Sequence, residues 1–486
     1  MKVSVPAKLW QWLLLFVTLV AVVERISIYL DARSLMIDEA NLAFNIVDRS
    51  YAGLFQNLDH AQYAPPLFTV SAKAAVAVLG VNEYALRLMP LLAGIGALLT
   101  LIAVGRKLLA TPYILWTVAL IGFSWYFLRY GTEIKQYASD TWLALVVVFW
   151  ALHWPWSAMR TSRWLLWAIG GAALVWASMP IVFVLAGVGL YYGWGWWRQR
   201  EAKGLLSLLG TVGLWIASFG VYYFTILSAD IGSEYLQDYH LPFFFDPVVT
   251  NMAAAKAQYY LFQNLLATAL PKSLPILALM VLVGVWGTVV LAKRQLETVF
   301  LLLAPIVLTV IASALHLYTL IPRVSLFLVP FVVLLIAYGA QDILQRLPQY
   351  GQWAGGLLLA LIASLQMNIT FLWQPMYIDP LKPAIAFIQD TAPEVPVIVH
   401  YEAVPSYRFY AQYHDQAEKY RLPYPTLTEW GALKPAMDAH LSSTDSFWLL
   451  IVHTPQEEVQ KLWQGLPKPL HQFELERGYA YLFDTP

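Results

Sequence analysis

The sequence has no cysteine, little charge and no excess of either sign. Zero cysteines in 486 residues exclude disulfides, iron–sulfur clusters and thiolate chemistry, though a chain without thiols suits either side of a membrane. Charged residues make up 12%, and the 30 basic side chains are cancelled by 30 acidic ones. With a pI near 7.1 there is no basic surplus to neutralise the phosphates of a duplex, so nucleic acid is not an expected partner. There is no internal repeat and no low-complexity tract. The opening MKVSVPAKLWQWLLLFVTLVAVV lacks a small-residue cleavage site after its apolar run and reads as a retained first helix. What is present is apolar: 59% hydrophobic residues and a mean hydropathy of +0.58 define a polytopic membrane protein rather than a series of soluble domains. Trp 21, Tyr 28 and Phe 23 are counts suited to membrane interfaces and to sugar or lipid grooves.

A membrane-spanning helix needs about 20 largely apolar residues, and the stretches between successive charges predict about eleven of them. They lie from about Lys8 to Leu30, from Arg87 to Arg106, onward to Arg129, from Asp140 to Arg160, and twice between Arg163 and Arg198 with Ser178-Met179-Pro180 as the turn. The remainder run between Lys203 and Asp230, Lys272 and Lys293, Glu297 and His316, and then after Arg323 and after about Trp353. Threading them from a cytoplasmic N-terminus gathers Lys2, Lys8, Arg106, Lys107, Arg160, Arg163, Arg198, Arg200, Lys203, Lys293, Arg294 and Arg346 on one side, which is then the cytoplasm. Three long loops, roughly 31–86, 129–140 and 228–272, and the whole tail fall on the outer side, so function is expected to face outward. From Asp379 onward 14 acidic and 8 basic residues occur in 108, about twice the charge density of the chain before it. That shift predicts a soluble unit: residues 1–375 form the membrane domain and 376–486 a small α/β domain. Its VPVIVHY (395–401) and FWLLIVH (447–453) read as strands, followed by a helix over 454–466 with Thr454 and Glu457 spaced as a capping box.

The first long loop opens with Asp38-Glu39 a few residues beyond the first span. Adjacent carboxylates there suit general-base work or a divalent cation; equally, they suit an N-cap and a first-turn acid of a helix. In LRYGTEIKQYASD, Glu133, Lys135, Tyr137 and Asp140 crowd a short turn, either as a second metal or acceptor contact opposite Asp38 or as an interfacial anchor with Arg129 and Tyr130. Arg323 ends the loop before the tenth span, where a guanidinium can pair with a lipid-linked phosphate or simply snorkel to the interface. His60 and Tyr63 precede the rigid APPLF and are candidate substrate contacts, or ordinary surface residues. Lys73, in an apolar stretch too short to span, belongs to an interfacial helix and either touches a phosphate or snorkels. In SEYLQDYHLPFFFD the rings of Tyr235, Tyr239, His240 and Phe243–Phe245 suit a lid over sugar or lipid, or an amphipathic helix lying on the bilayer.

Taken in order, IDEA (37–40), YAPPLF, GVNEYALRLMP (80–90), RYGTEIKQY (129–137) and IPRVSLFLVP (321–330) resemble the GT-C superfamily of membrane glycosyltransferases, in particular the bacterial branch similar to protein mannosyltransferases and the aminoarabinose transferase (glycosyltransferase family 39). The resemblance covers roughly 10–375. It implies an inverting transfer of a sugar from a polyprenyl-phosphate donor to a lipid, glycan or protein acceptor at the outer face of the cytoplasmic membrane, with the C-terminal domain in the periplasm. By that analogy Asp38 is the base for the acceptor hydroxyl, and Glu39 supports it or helps bind the acceptor. Glu133 matches the second acidic position, and Lys135 and Arg323 the cationic contacts to the donor phosphate; apart from the analogy, Lys73 is a further candidate phosphate contact and His60, Tyr63, Tyr137, Tyr239 and His240 are candidate substrate contacts. Lys135 stands where many relatives carry Arg, giving a point charge in place of a fork. Some members require a divalent ion and others do not, which makes a Mg or Mn ion at Asp38 and Glu133 a candidate cofactor.

Two other classes compete. A transporter or flippase of lipid-linked saccharide would carry ionisable residues near mid-membrane, whereas here long uncharged stretches separate the loops. A non-catalytic scaffold would leave the acidic pair without a task.

Overall fold

The computed structural model describes residues 6–228, 238–443, 446–462 and 468–484; Lys2, Tyr235 and the end of the expected 454–466 helix lie outside the described residues. Every one of the eleven apolar stretches is helical. The first half contains α1 (Ala7–Leu30), α2 (Ile37–Asp48), α3 (Pro66–Leu79), α4 (Glu83–Leu108), α5 (Thr111–Gly122), α6 (Trp125–Tyr130), α7 (Tyr137–His153), α8 (Thr161–Val175), α9 (Ile181–Gln199) and α10 (Ala202–Tyr222). Helices Met252–Leu266, Leu274–Arg294, Leu296–Ala314, Val329–Arg346 and Gln349–Ser364 complete the membrane half. Among the described residues, five segments are long and apolar enough to cross a membrane by length and composition, Ala7–Leu30, Glu83–Leu108, Ala202–Leu227, Leu274–Ala314 and Leu326–Arg346; the other helices are shorter or less apolar.

Lipid offers no apolar gain on helix association, so close packing and internal hydrogen bonds hold such bundles together. Both are visible. Helix 274–294 crosses helix 329–346 at Gly287 and Gly339, where an added Cβ on Gly287 would overlap the Leu335 carbonyl and one on Gly339 the Val283 carbonyl. Arg25, buried in α1, donates from Nη1 to the Ala21 carbonyl (2.9 Å) and to the Gly122 carbonyl (2.7 Å), neutralising the C-terminal end of α5.

Two short helices join α1 to α4. In α2, Ala40, Leu42, Ala43 and Ile46 are buried while Asn41 and Phe44 between them are not, a single apolar face. Pro66 fits the first turn of α3, whose end turns at Gly80 with φ +85°. Asn82 then caps α4, its Oδ1 accepting from the Ala85 N–H at 3.0 Å.

The tail is a mixed five-stranded sheet ordered β2-β1-β3-β5-β4, from β1 (Val397–Val399), β2 (Pro425–Leu427), β3 (Ser446–Val452), β4 (His471–Leu475) and β5 (Gly478–Asp484). The pairs β1–β2 and β1–β3 are parallel, β3–β5 and β4–β5 antiparallel. Strand β1 falls inside the first expected segment and β3 overlaps the second, starting one residue earlier at Ser446; β2 and the β4–β5 hairpin were not anticipated. Helix Gln456–Leu462 follows β3, but the expected capping box is corrected: Thr454 lies before the helix and its hydroxyl donates to Glu402 Oε2 at 2.5 Å.

The apolar face of α2 does not close on the bundle. Leu35, Leu42, Ile46 and Phe68 share one continuous core with Leu381, Ile385, Tyr407, Tyr410, Trp448 and Leu450 of the tail. Polar ties reinforce it: the Leu35 N–H donates to the Tyr410 hydroxyl (2.9 Å), and the Val81 N–H to Asp415 Oδ1 (2.9 Å).

Candidate functional site

The loop after α1 delivers Asp38 and Glu39 to the first turn of α2, where exposed backbone N–H groups favour negative charge. Successive helix residues point about 100° apart, so the two carboxylates separate. Glu39 turns inward and is fully buried. Arg87 grips it with both arms, Nε to Oε1 at 2.8 Å and Nη2 to Oε2 at 2.7 Å, while the Ile134 N–H (3.0 Å) and the Met36 N–H (3.3 Å) donate to the same carboxylate. Burial by itself would raise its pKa; the charges of Arg87 and Arg33 and these hydrogen bonds outweigh that and hold it below the ordinary value.

Asp38 keeps a third of its side chain exposed, at 33%. Lys135 Nζ stands 4.0 Å and Arg323 Nη1 3.9 Å from its Oδ2. The Lys135 charge, partly opposed by burial and reinforced by Arg323, His453 and a hydrogen bond with Gln62, holds the Asp38 carboxyl below the usual carboxylate range. Lys135 is itself buried and donates to Gln62 Oε1 at 2.6 Å; burial lowers its pKa and Asp38 offsets part of that shift. Arg323 Nη2 donates to the Tyr239 hydroxyl at 3.0 Å, and the Leu320 N–H donates to the Phe243 carbonyl at 2.9 Å, so the loop before helix 329–346 is tied to the 239–245 segment beside Asp38.

The structure therefore brings Asp38, Lys135, Arg323 and Tyr239 together, with Tyr137 buried against Tyr130 (ring centroids 5.1 Å apart) beneath them and His240 packed on Tyr239. Other candidates are occupied elsewhere. Glu133 is buried and paired with Arg129 Nε at 2.7 Å, with Arg33 Nη2 4.0 Å away. Lys73 donates to the carbonyls of Ile46 (2.9 Å) and Val47 (3.1 Å), capping the far end of α2, about 12 Å along the helix from Asp38 at 1.5 Å per residue. His60 is exposed and lies on the Phe44 ring (5.7 Å), and Tyr63 shares a hydroxyl contact with Tyr222. Four participants were not named from the sequence: Gln62, Arg33, Arg87 and His453. Arg87 lies inside the GVNEYALRLMP motif and Gln62 between two named residues, so position was available as a signal for both; His453, in the last part of the chain, offered none.

The donor set does not fit a divalent cation. Asp38 already faces Lys135 and Arg323, and Glu133 faces Arg129 and Arg33, so an ion bridging the two carboxylates would meet four positive side chains. Among the described residues no group of three or more His, Asp or Glu side chains is placed to share a metal ion.

This arrangement of helices, loops and a sheet is a fold shared with solved structures. Among solved structures, it is similar to the Archaeoglobus fulgidus oligosaccharyltransferase tethered to an acceptor peptide containing the NVT sequon, at a TM-score of 0.50 and 12% identity, over 86% of this chain and 64% of that one. The chain thus spans less than two thirds of that enzyme. It also matches ArnT from Cupriavidus metallidurans bound to undecaprenyl phosphate (TM-score 0.48, 12% identity, 97% of this chain and 98% of that one). A third match is the Archaeoglobus fulgidus oligosaccharyltransferase in complex with Zn and sulfate (TM-score 0.46, 11% identity, 90% and 68%). No family model matches the chain, and no curated protein matches it.

Proposed function

We propose that the chain is an inverting glycosyltransferase that moves a sugar from a polyprenyl phosphate to an acceptor hydroxyl or amide at the outer face of the cytoplasmic membrane. In this reading the membrane half crosses eleven times, the N-terminus is cytoplasmic, and residues 376–486 form the outer domain. The observation that carries it is the placement of one accessible carboxylate, Asp38, between two cations, Lys135 and Arg323, the latter bonded to the Tyr239 hydroxyl. Such a site separates the tasks of a single displacement. Asp38 accepts a hydrogen bond from the acceptor and orients its attacking atom toward the anomeric carbon. Lys135 and Arg323 neutralise the charge that grows on the phosphate as it departs, in a setting where buried cations act more strongly than in water. A ring surface from Tyr239 and His240 covers the sugar or the first isoprene units. The motif order and the shared fold support the same chemistry.

The test is transfer from radiolabelled polyprenyl-phosphate sugars in membranes carrying wild type or Asp38→Asn. Asparagine keeps the volume and removes the charge, so transfer falls by two orders of magnitude or more, roughly the share that one positioned group supplies. A chelator leaves the wild-type rate unchanged, because no metal step is invoked. Labelling equal in wild type, variant and empty membranes across a broad donor panel removes the proposal.

A further inference from the structure

Asp38 is suited to orient a hydroxyl and poorly suited to keep its proton, since two cations favour its ionised form. A histidine paired with a buried carboxylate is found at the opposite end of the chain. His453 follows β3 immediately, at the carboxyl end of a strand that pairs in parallel with β1, which is where open α/β sheets collect their functional groups. Its backbone is left-handed, with φ +70°, a strained conformation for a residue with a side chain and one that concentrates at functional sites. Both of its backbone polar groups are fixed by Arg477: the His453 N–H donates to the Arg477 carbonyl at 3.0 Å, and Arg477 Nη2 donates to the His453 carbonyl.

The ring is fixed as well. Nδ1 lies 2.8 Å from Oδ2 of Asp379, whose side chain is fully buried. An ionised carboxylate there accepts the Nδ1 proton and leaves the lone pair on Nε2. No described residue hydrogen-bonds Nε2, and 25% of the side chain is exposed. Asp379 Oδ1 is buried without a hydrogen-bond partner, so the carboxylate has no other task among the described residues. The turn that carries Asp379 is seated against the loop that carries Asp38, the Lys382 N–H donating to Ser34 Oγ at 2.9 Å, and a positive charge on His453 favours the ionised Asp38. His414, also paired with a carboxylate, is by contrast buried against Glu83 and Tyr410.

We propose that His453, held by Asp379, takes the proton released by the acceptor during transfer, so that the C-terminal domain completes the active site. The inference rests on reading the Asp38 site as a glycosyltransferase. In the step, the acceptor atom forms its bond to the anomeric carbon as the bond from that carbon to the phosphate oxygen breaks. The electron pair leaves with the lipid phosphate, which faces Lys135 and Arg323. The acceptor's proton passes to Nε2, giving an imidazolium beside the Asp379 carboxylate. Asp38 remains ionised throughout.

Two variants of the full-length protein test it in the same transfer assay. His453→Asn keeps a donor within reach of Asp379 but has no basic nitrogen, and is expected to lower kcat by 10²- to 10⁴-fold while leaving the donor KM in place. His453→Ala is expected to lose as much and to regain part of its rate when imidazole is added to the buffer, a response that a merely structural role would not give. Wild-type kcat in His453→Asn overturns the proposal while leaving the Asp38 site standing, and so does a loss in His453→Ala that imidazole does not restore although the purified variant melts at the wild-type temperature. If His453→Ala fails to fold, the His453→Asn rate decides. Absence of transfer by wild type itself overturns the function first and this inference with it.

Discussion

Asp38 and Glu39 are adjacent carboxylates with opposite environments, one partly exposed and one fully engaged on Arg87. Glu39→Gln therefore acts on stability more than on chemistry. It leaves a buried guanidinium without its charge partner, a loss of about 3–5 kcal/mol by the usual cost of breaking such pairs, read as a fall in melting temperature of the detergent-purified protein. The pH dependence follows the sign of the Glu39 shift. Its folded pKa lies below the unfolded value, so its contribution is complete above roughly pH 4.3, the ordinary glutamate value, and is lost as pH falls through the folded pKa. Wild type is expected to lose stability over that acidic window, and the part due to Glu39 is absent from the Gln variant. Asp38, Lys135 and Arg323 were legible in the sequence because each stands at the edge of an apolar stretch, where charge is scarce and placement informative. Which of two neighbouring acids turns inward was not legible, since that depends on the phase of α2 against a core built from the end of the chain. Lys73 was misplaced for a related reason: sequence cannot show that its amine reaches the carbonyls ending α2.

Among the elements, the helices were legible and the strands only partly so. Charge-free runs between charged ends mark helices without any tertiary information, and the turn at Ser178-Met179-Pro180 falls between α8 and α9 as expected. Strand β2 has three residues and β4 is an edge strand of mostly exposed residues, neither with an apolar run to announce it. The crossing of helices 274–294 and 329–346 was equally silent, because a glycine in an apolar run looks the same whether it faces lipid or a backbone. Gly287→Leu is expected to force these helices apart, destabilising the bundle by at least the roughly 1–3 kcal/mol typical of overpacking. The comparison is Gly210→Leu in α10, where nothing lies within 4 Å of the added Cβ. Size-exclusion profiles should show aggregation or loss for the former and wild-type behaviour for the latter.

At the scale of the molecule, the tail is locked to the membrane half through Glu83 at the start of α4. Lys382 Nζ (2.6 Å), the Tyr410 hydroxyl (2.9 Å) and His414 Nε2 (3.0 Å) converge on this one carboxylate. Lys382, although its burial pulls its pKa down, is supported there by the Glu83 charge. Glu83→Ala is expected to strand these three groups and loosen the docking. The expected readout is faster limited proteolysis of the tail, with transfer falling in proportion; a digestion rate equal to wild type would show that the apolar core alone suffices. The sequence placed a soluble unit after residue 375 from its charge density, yet could not show that α2 and α3 complete that unit's core.

That shared core has a consequence for biogenesis. The Leu35 N–H waits for the Tyr410 hydroxyl, 375 residues later in the chain. During synthesis the segment carrying Asp38 leaves the ribosome early, but its apolar face stays uncovered until nearly every helix has been inserted and the last strands have been made. Long-range closure of this kind is slow and exposes sticky surface in the interval. A chain interrupted anywhere before the sheet would thus hold its acidic pair on an unsupported helix, and the proposed site would assemble only in molecules that had been finished.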